Sequence, residues 1–188
     1  MKIIAISGSL RTTSLNTAVL HAACRLAPAG VQIEIFDGIG KLPFFNSDLE
    51  GERLPKEVGS FRNVIDAADG LLISSPEYAR GVAGVMKNAL DWLVGSQEFP
   101  GKPVALINTS PRASHALASL TLTLETMSAQ MVKDASITLS LLGTVNDADS
   151  IAANPEFAGP LRSALEHFVG AIKALPGDDS GKRRSAKS

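Results

Sequence analysis

The sequence predicts an α/β protein: an open, doubly wound sheet of five parallel strands in the order 2-1-3-4-5, with helices on both faces. Three observations lead there. Five short apolar runs are separated by stretches of helical periodicity, the pattern of parallel strands joined by crossover helices. Most of the runs are continuously apolar rather than alternating, as strands buried on both faces are. Five strands also suit the order 2-1-3-4-5 better than the six-stranded dinucleotide-binding arrangement.

Lys2–Ser7 is the first β-branched run, and Leu15, Ala18, Val19, Ala22 and Leu26 then recur at helical spacing until Pro28 and Gly30 end the pattern. Residues 31–36 alternate as a second strand, and residues 38–53, with Pro43 and Phe44-Phe45, read as a long loop. A helix over 54–68 leads to a third strand at 70–75. A loop over 76–83, a helix at Gly84–Val94, a fourth strand at 102–108 and a helix over 114–127 repeat the unit. Residues 135–141 are the expected last strand, and Pro155–Ala174 the final helix.

The composition narrows the class. Eighteen basic against nineteen acidic residues give a net charge of −1, so no overall field draws the chain to nucleic acid or an anionic membrane. Cys24 is the only cysteine, which rules out an internal disulfide and a cysteine-based metal centre. No apolar run approaches the roughly 20 residues that span a bilayer, and no leader precedes Lys2, so a cytoplasmic, soluble protein is expected. Residues 1–175 read as one domain and 176–188, polar and Gly-bearing, as a disordered tail.

In open α/β sheets the ligand lies beyond the carboxyl ends of the strands where strand order reverses, here after the first and third strands. After the first comes "AISGSLRTTSLN", residues 5–16. Gly8 permits a sharp turn, Ser9, Thr12, Thr13 and Ser14 offer hydroxyls, the coming helix offers free amides, and Arg11 adds a planar cation. The alternative is an ordinary helix cap by Ser14 with Arg11 in solvent. Neither G-x-x-x-x-G-K-[ST] nor G-x-G-x-x-G is present, so a terminal monophosphate suits the loop better than a triphosphate or a dinucleotide pyrophosphate.

After the third strand stands "SPEYARGVAGVMKNALDW", residues 75–92. With this segment the sequence resembles the NADPH-dependent FMN reductase family of flavodoxin-like enzymes, which includes quinone, chromate and azo-dye reductases. The family's G-S-x-R-x-x-S-x-N loop corresponds to Gly8, Ser9, Arg11, Ser14 and Asn16, stretched by one position. Its P-E-Y-N segment with a following L-K-N-A-x-D-W corresponds to residues 76–92. The resemblance implies that Ser9, Arg11, Ser14, Leu15 and Asn16 hold the FMN phosphate. It also implies that Pro76, Glu77, Tyr78, Ala79 and Gly81 line the isoalloxazine, with Thr109, Ser110 and Pro111 in place of the usual glycine-rich third contact.

It further implies NADPH or NADH as co-substrate and ping-pong hydride transfer to flavin N5 and on to a quinone, chromate, azo compound or free flavin. No metal and no catalytic side chain are expected, since the cofactor carries the chemistry. A homodimer or homotetramer is expected, as relatives complete the flavin pocket with a neighbouring subunit. Ala79 replaces the usual Asn, and Arg80 stands where small residues are common. Arg112 and His115 are candidates for a 2′-phosphate or the substrate.

Other residues read as structural. Lys87 and Asp91 form an i, i+4 pair and Asn88 ties helix to loop. Trp92 is packing or interface, Cys24 a small buried residue, and His21 and His167 helix positions. Glu77 either faces flavin or stabilises a dimer. The competing functions are a flavodoxin-type electron carrier and a flavin-free module. The near-neutral charge and the single Tyr and Trp favour the enzyme over the carrier.

Overall fold

The computed structural model describes residues 1–143 and 147–175. Its main sheet contains β1 (Lys2–Ser7), β2 (Gln32–Ile35), β3 (Gly70–Ser74), β6 (Pro103–Asn108), β7 (Gln130–Met131) and β8 (Ile137–Thr138), all paired in parallel. The spatial order is β2-β1-β3-β6, with β7 and β8 sharing the outer edge of β6. This is the predicted flavodoxin-like order. The predicted tail at 176–188 lies outside the described residues.

Side chains alternate across each central strand into two cores. Ile3, Ala5, Leu72, Ala105 and Ile107 pack with α1 (Leu15–Arg25), α5 (Ala148–Ala153) and α6 (Pro155–Ala174). Ile4, Ile6, Leu71, Ile73, Val104 and Leu106 pack with α2 (Lys56–Asp66), α3 (Gly84–Val94) and α4 (Ser114–Thr126). Burial on both faces is why these strands read as unbroken apolar runs.

The last strand departs from expectation. Instead of one run over 135–141, β7 pairs with Pro103 and Val104, a 3-10 turn at Lys133–Ala135 follows, and β8 pairs with Ile107 and Asn108. Ser136 spans the break: its hydroxyl donates to the Val132 carbonyl (3.0 Å) and accepts from the Leu106 N–H (3.1 Å), standing in for a ladder bond. α5 was not expected at all. It is six residues long, and Asp147 caps it through the Ser150 N–H at 2.8 Å.

The long loop at 38–53 contains 3-10 turns at Ile39–Lys41, Ser47–Leu49 and Gly51–Arg53. Trp92 is fully buried, so it serves packing, and its Nε1 donates to the Pro43 carbonyl at 2.7 Å. Asn88 ties helix to loop as expected, donating to the same carbonyl and accepting from the Phe45 N–H. Lys87 and Asp91 form the expected pair. No helix among the described residues is long and apolar enough to cross a membrane.

Candidate functional site

The loops leaving the carboxyl ends of β1, β3 and β6 surround one cavity of about 820 Å³. That is within the ~300–1,000 Å³ of small-molecule sites. From the first loop it is lined by Ser9, Arg11, Thr13, Ser14, Leu15 and Asn16, from the second by Ser75, Pro76, Glu77 and Tyr78, and from the third by Asn108 to Ser110 with Arg112 and Ala113. Leu142 and Gly143 complete the wall. The predicted positions Ala79, Gly81 and Pro111 stand outside this lining, as does His115.

The first loop is built by hydroxyls. Ser9 Oγ accepts from the Arg11 N–H at 3.4 Å, Ser7 and Thr17 hydroxyls pair at 2.8 Å, and Ser14 caps α1 by accepting from the Thr17 N–H. Capping and cavity lining thus coexist at Ser14. The N–H groups of Leu15 and Asn16 have no intrahelical partner, as at any helix start. Gly8 is required for closeness rather than a turn: a Cβ there would stand 2.3 Å from Ser75 Oγ. Against the protein itself Gly81 and Gly84 are open: a Cβ at Gly81 would meet nothing nearer than the Tyr78 carbonyl at 3.5 Å, and one at Gly84 nothing within 4 Å.

Asn16 joins the loops. It is buried, and its Oδ1 accepts from the Ser74 hydroxyl (2.9 Å) and the Thr109 hydroxyl (3.4 Å), so its NH2 is the group it can offer the cavity. Asn108 shapes the third loop, donating to the Ser110 carbonyl at 2.7 Å and accepting from the Ser110 N–H. Ser75 Oγ is buried and has no hydrogen-bond partner.

The second loop is a hairpin, β4 (Glu77–Tyr78) against β5 (Gly81–Val82). Its two-residue turn puts Ala79 at φ +49° and Arg80 at φ +61°. Two left-handed residues make the turn type that favours Asn-Gly, so an Asn at 79 has a backbone reason as well as a side-chain one. Glu77 lines the cavity, and its Oε2 also accepts from the Ala116 N–H at 2.9 Å, in the first turn of α4.

Charge around the cavity is uneven. Arg11 and Arg112 line it, and neither is in an ion pair among the described residues. The one carboxylate in the lining, Glu77, already answers the positive end of α4. The start of α1 has Ser14 as its cap, no acidic residue in its first turn, and Arg11 beside it. No three His, Cys, Asp or Glu among the described residues are grouped to hold a metal.

Sequence reading missed Ser75, Asn108, Ala113, Leu142 and Gly143 as lining. Ser75 and Asn108 had a usable signal, Ser75 being the polar residue just after β3 and Asn108 the polar last residue of β6, both at the carboxyl ends of apolar strands by the switch point.

A family model described as NADPH-dependent FMN reductase matches residues 1–141. An NAD(P)H-dependent FMN reductase of Pseudomonas aeruginosa is 45% identical over 112 residues, covering 58% of this chain and 60% of that protein. A 2-hydroxy-1,4-benzoquinone reductase of a Burkholderia species is 42% identical, covering 58% of this chain and 61% of the relative. The chain thus spans about 60% of the length of these curated relatives. Among solved structures, FerB of Paracoccus denitrificans, described as a flavoenzyme NAD(P)H:(acceptor) oxidoreductase, superposes with TM-score 0.81 at 30% identity, over 92% of this chain and 97% of that one. The chain belongs to the NADPH-dependent FMN reductase family.

Proposed function

We propose that this member of the NADPH-dependent FMN reductase family binds FMN in the cavity at the ends of β1, β3 and β6, and acts as an NAD(P)H-dependent oxidoreductase on a small-molecule acceptor. One observation carries the reading. Two helices start at the cavity, and only α4 already has its anion, in Glu77; α1 presents a neutral cap, two N–H groups and an unpaired Arg11. A phosphate monoester is the ligand group that this arrangement favours.

The residues fit the cofactor. Arg11, the hydroxyls of Ser9 and Ser14, the N–H groups of Leu15 and Asn16 and the Asn16 amide surround the phosphate side, where neutral and cationic donors prevail. Pro76, Glu77, Tyr78, Thr109 and Ser110 form the remaining wall, where the flavin ring belongs, and the buried, unpartnered Ser75 hydroxyl is a donor or acceptor for it. Ala79, Gly81 and Pro111 act through the backbone shape of their loops.

FMN, when bound, supplies the redox chemistry: hydride in from NADPH or NADH, and electrons out in ping-pong fashion to a quinone, chromate, azo compound or free flavin. The protein's part is binding and orientation. Glu77, tied to α4, positions its hairpin rather than a proton, and no side chain is assigned a chemical step. Arg112 is the remaining cation for a phosphate of the nicotinamide substrate.

The assembly belonging to this reading is a homodimer or homotetramer. Val94 on α3 and Leu122 on α4 are both about 65% exposed around one depression, which supports an interface there. Residues 1–175 form the functional unit, at work in the cytoplasm, a compartment that suits a chain whose one cysteine is a free thiol.

The test is an absorbance spectrum after incubation with FMN and desalting, then anaerobic NADPH. Retained flavin that bleaches is expected. Retained flavin unresponsive to both NADPH and NADH would favour the electron carrier, and loss of flavin would remove the cofactor assignment.

A further inference from the structure

The break in the outer strand leaves a cavity. Between β7 and β8 the chain turns through Lys133–Ala135 instead of continuing the ladder. On the α4 side of that break lies a pocket of about 240 Å³, walled by Leu106 of β6, Leu117 and Thr121 of α4, and Met131 and Ile137 from the two short strands. Lys133, Ser136 and Thr138 supply its other polar groups. It is smaller than the ~300–1,000 Å³ of sites for drug-sized ligands, so it suits a single ring or a short chain.

The hydrogen-bond capacity left in this pocket is of one kind. The Ser136 hydroxyl is used in both directions, donating to the Val132 carbonyl at 3.0 Å and accepting from the Leu106 N–H at 3.1 Å. The Thr121 hydroxyl donates to the Leu117 carbonyl at 2.9 Å. The Thr138 hydroxyl accepts from Asn108 Nδ2 at 3.4 Å, which leaves its hydrogen to donate. Lys133 is in no ion pair among the described residues, and no carboxylate stands in the lining; Asp134, its neighbour in the turn, lies outside it. An ammonium and a hydroxyl donor beside four apolar side chains match a carboxylate with an apolar body.

The pocket also adjoins the flavin cavity. A void of about 10 Å³ shares Leu106 and Leu117 with the pocket, and Ser75, Asn108 and Ala113 with the cavity. Leu117 follows Ala116, whose N–H donates to the Glu77 carboxylate at 2.9 Å. The wall of one site and the anchor of the other are thus consecutive residues of α4.

We propose that this pocket is an effector site for a small monocarboxylate with an apolar body, held by Lys133 and Thr138, and that its occupancy alters FMN binding through the first turn of α4. The site itself stands without the flavin reading, and only the coupling rests on it. No bond is made or broken: the ligand acts by binding one arrangement of α4 better than another.

The test is calorimetric titration of the FMN-loaded protein with benzoate and with benzamide, its neutral counterpart. Benzoate should bind more tightly, and Lys133→Met should weaken it about fivefold, the upper range for an ion pair at an exposed ammonium, while leaving benzamide unchanged. Thr121→Leu, which adds bulk to the wall, should weaken both. No binding of benzoate, or equal weakening of both ligands by Lys133→Met, overturns the proposal. So does binding that Arg112→Ala removes and Lys133→Met does not, which would place benzoate in the flavin cavity.

The coupling is read by fluorescence titration of FMN with and without saturating benzoate. FMN affinity should shift about fivefold, the low end of coupling between sites, and Lys133→Met should reduce the shift at the same benzoate concentration. Equal FMN affinity in the two titrations overturns the effector role. If the protein retains no FMN, the flavin reading fails separately, and the benzoate series on flavin-free protein still decides the pocket. Should Thr121→Leu dissociate an oligomer in sedimentation while benzoate fails to bind the unchanged protein, a second copy covers the pocket and the proposal falls.

Discussion

Helices α1 and α4 direct their first turns at one cavity, and they are finished in opposite ways. α1 is capped from its own sequence, by Ser14 three residues before the N–H it accepts from. α4 has Ala113 at its cap position with no side-chain bond, and receives the Glu77 carboxylate from 39 residues away. The local cap is neutral and the distant one is an anion. One cavity therefore has one helix start already answered by a carboxylate and another without an anion, and the proposed orientation of a bound flavin rests on that difference.

The largest break in this comparison should come from Glu77→Ala. Losing a charge-assisted bond to a helix start should cost about 2 kcal/mol in urea unfolding. Glu77→Gln, which keeps an acceptor but not the charge, should recover part of it. A midpoint equal to that of the unchanged protein would mean that the distant cap contributes nothing.

Arg11→Ala is next, and it separates binding from stability. FMN affinity should fall about tenfold, or about 1.4 kcal/mol, in a fluorescence titration, with the unfolding midpoint unmoved. Unaltered affinity would remove Arg11 from the phosphate site. Ser14→Ala should do both things at once: cost about 1 kcal/mol of stability as a lost cap and weaken FMN less than Arg11→Ala does.

Smaller still is the effect on the hairpin that carries Glu77. Ala79→Asn with Arg80→Gly places turn residues suited to φ +49° and +61°, and should add about 0.5–1 kcal/mol. A loss of stability would show that the turn relaxes in solution. The smallest effect is a control away from the cavity. The Ser150 N–H, and then its hydroxyl, hold the Asp147 carboxyl below its usual range. Because the folded value is the lower one, this contribution is complete above about pH 4 and disappears on further acidification. Asp147→Ala should therefore leave the midpoint difference constant between pH 6 and 8 and erase it only in acid.

Legibility followed the range of the interactions. The strands could be read because both faces of each are buried, and the hydroxyl-rich first loop because Ser9, Arg11, Ser14 and Asn16 lie within eight residues. The outer strand misled because Ser136 repairs a break in the ladder with its side chain, which no periodicity reveals. Of Thr109, Ser110 and Pro111, which the resemblance groups as the third flavin contact, the first two line the cavity while Pro111 stands outside its lining, beyond the turn that Asn108 shapes. Gly8 was read as a turn, whereas its need comes from Ser75, the residue that follows β3.

By itself the sequence determined the parallel sheet, its order, the place of the cavity and the chemistry of the α1 loop, all of which depend on local pattern or on position relative to strand ends. Tertiary structure decided which residues turn inward together: Asn16 receiving hydroxyls from two strands, Glu77 closing α4, and Phe44 held in solvent by Asn88 and Trp92. Each of those joins elements dozens of residues apart, and such partners exist only once the sheet has brought their backbones to one end.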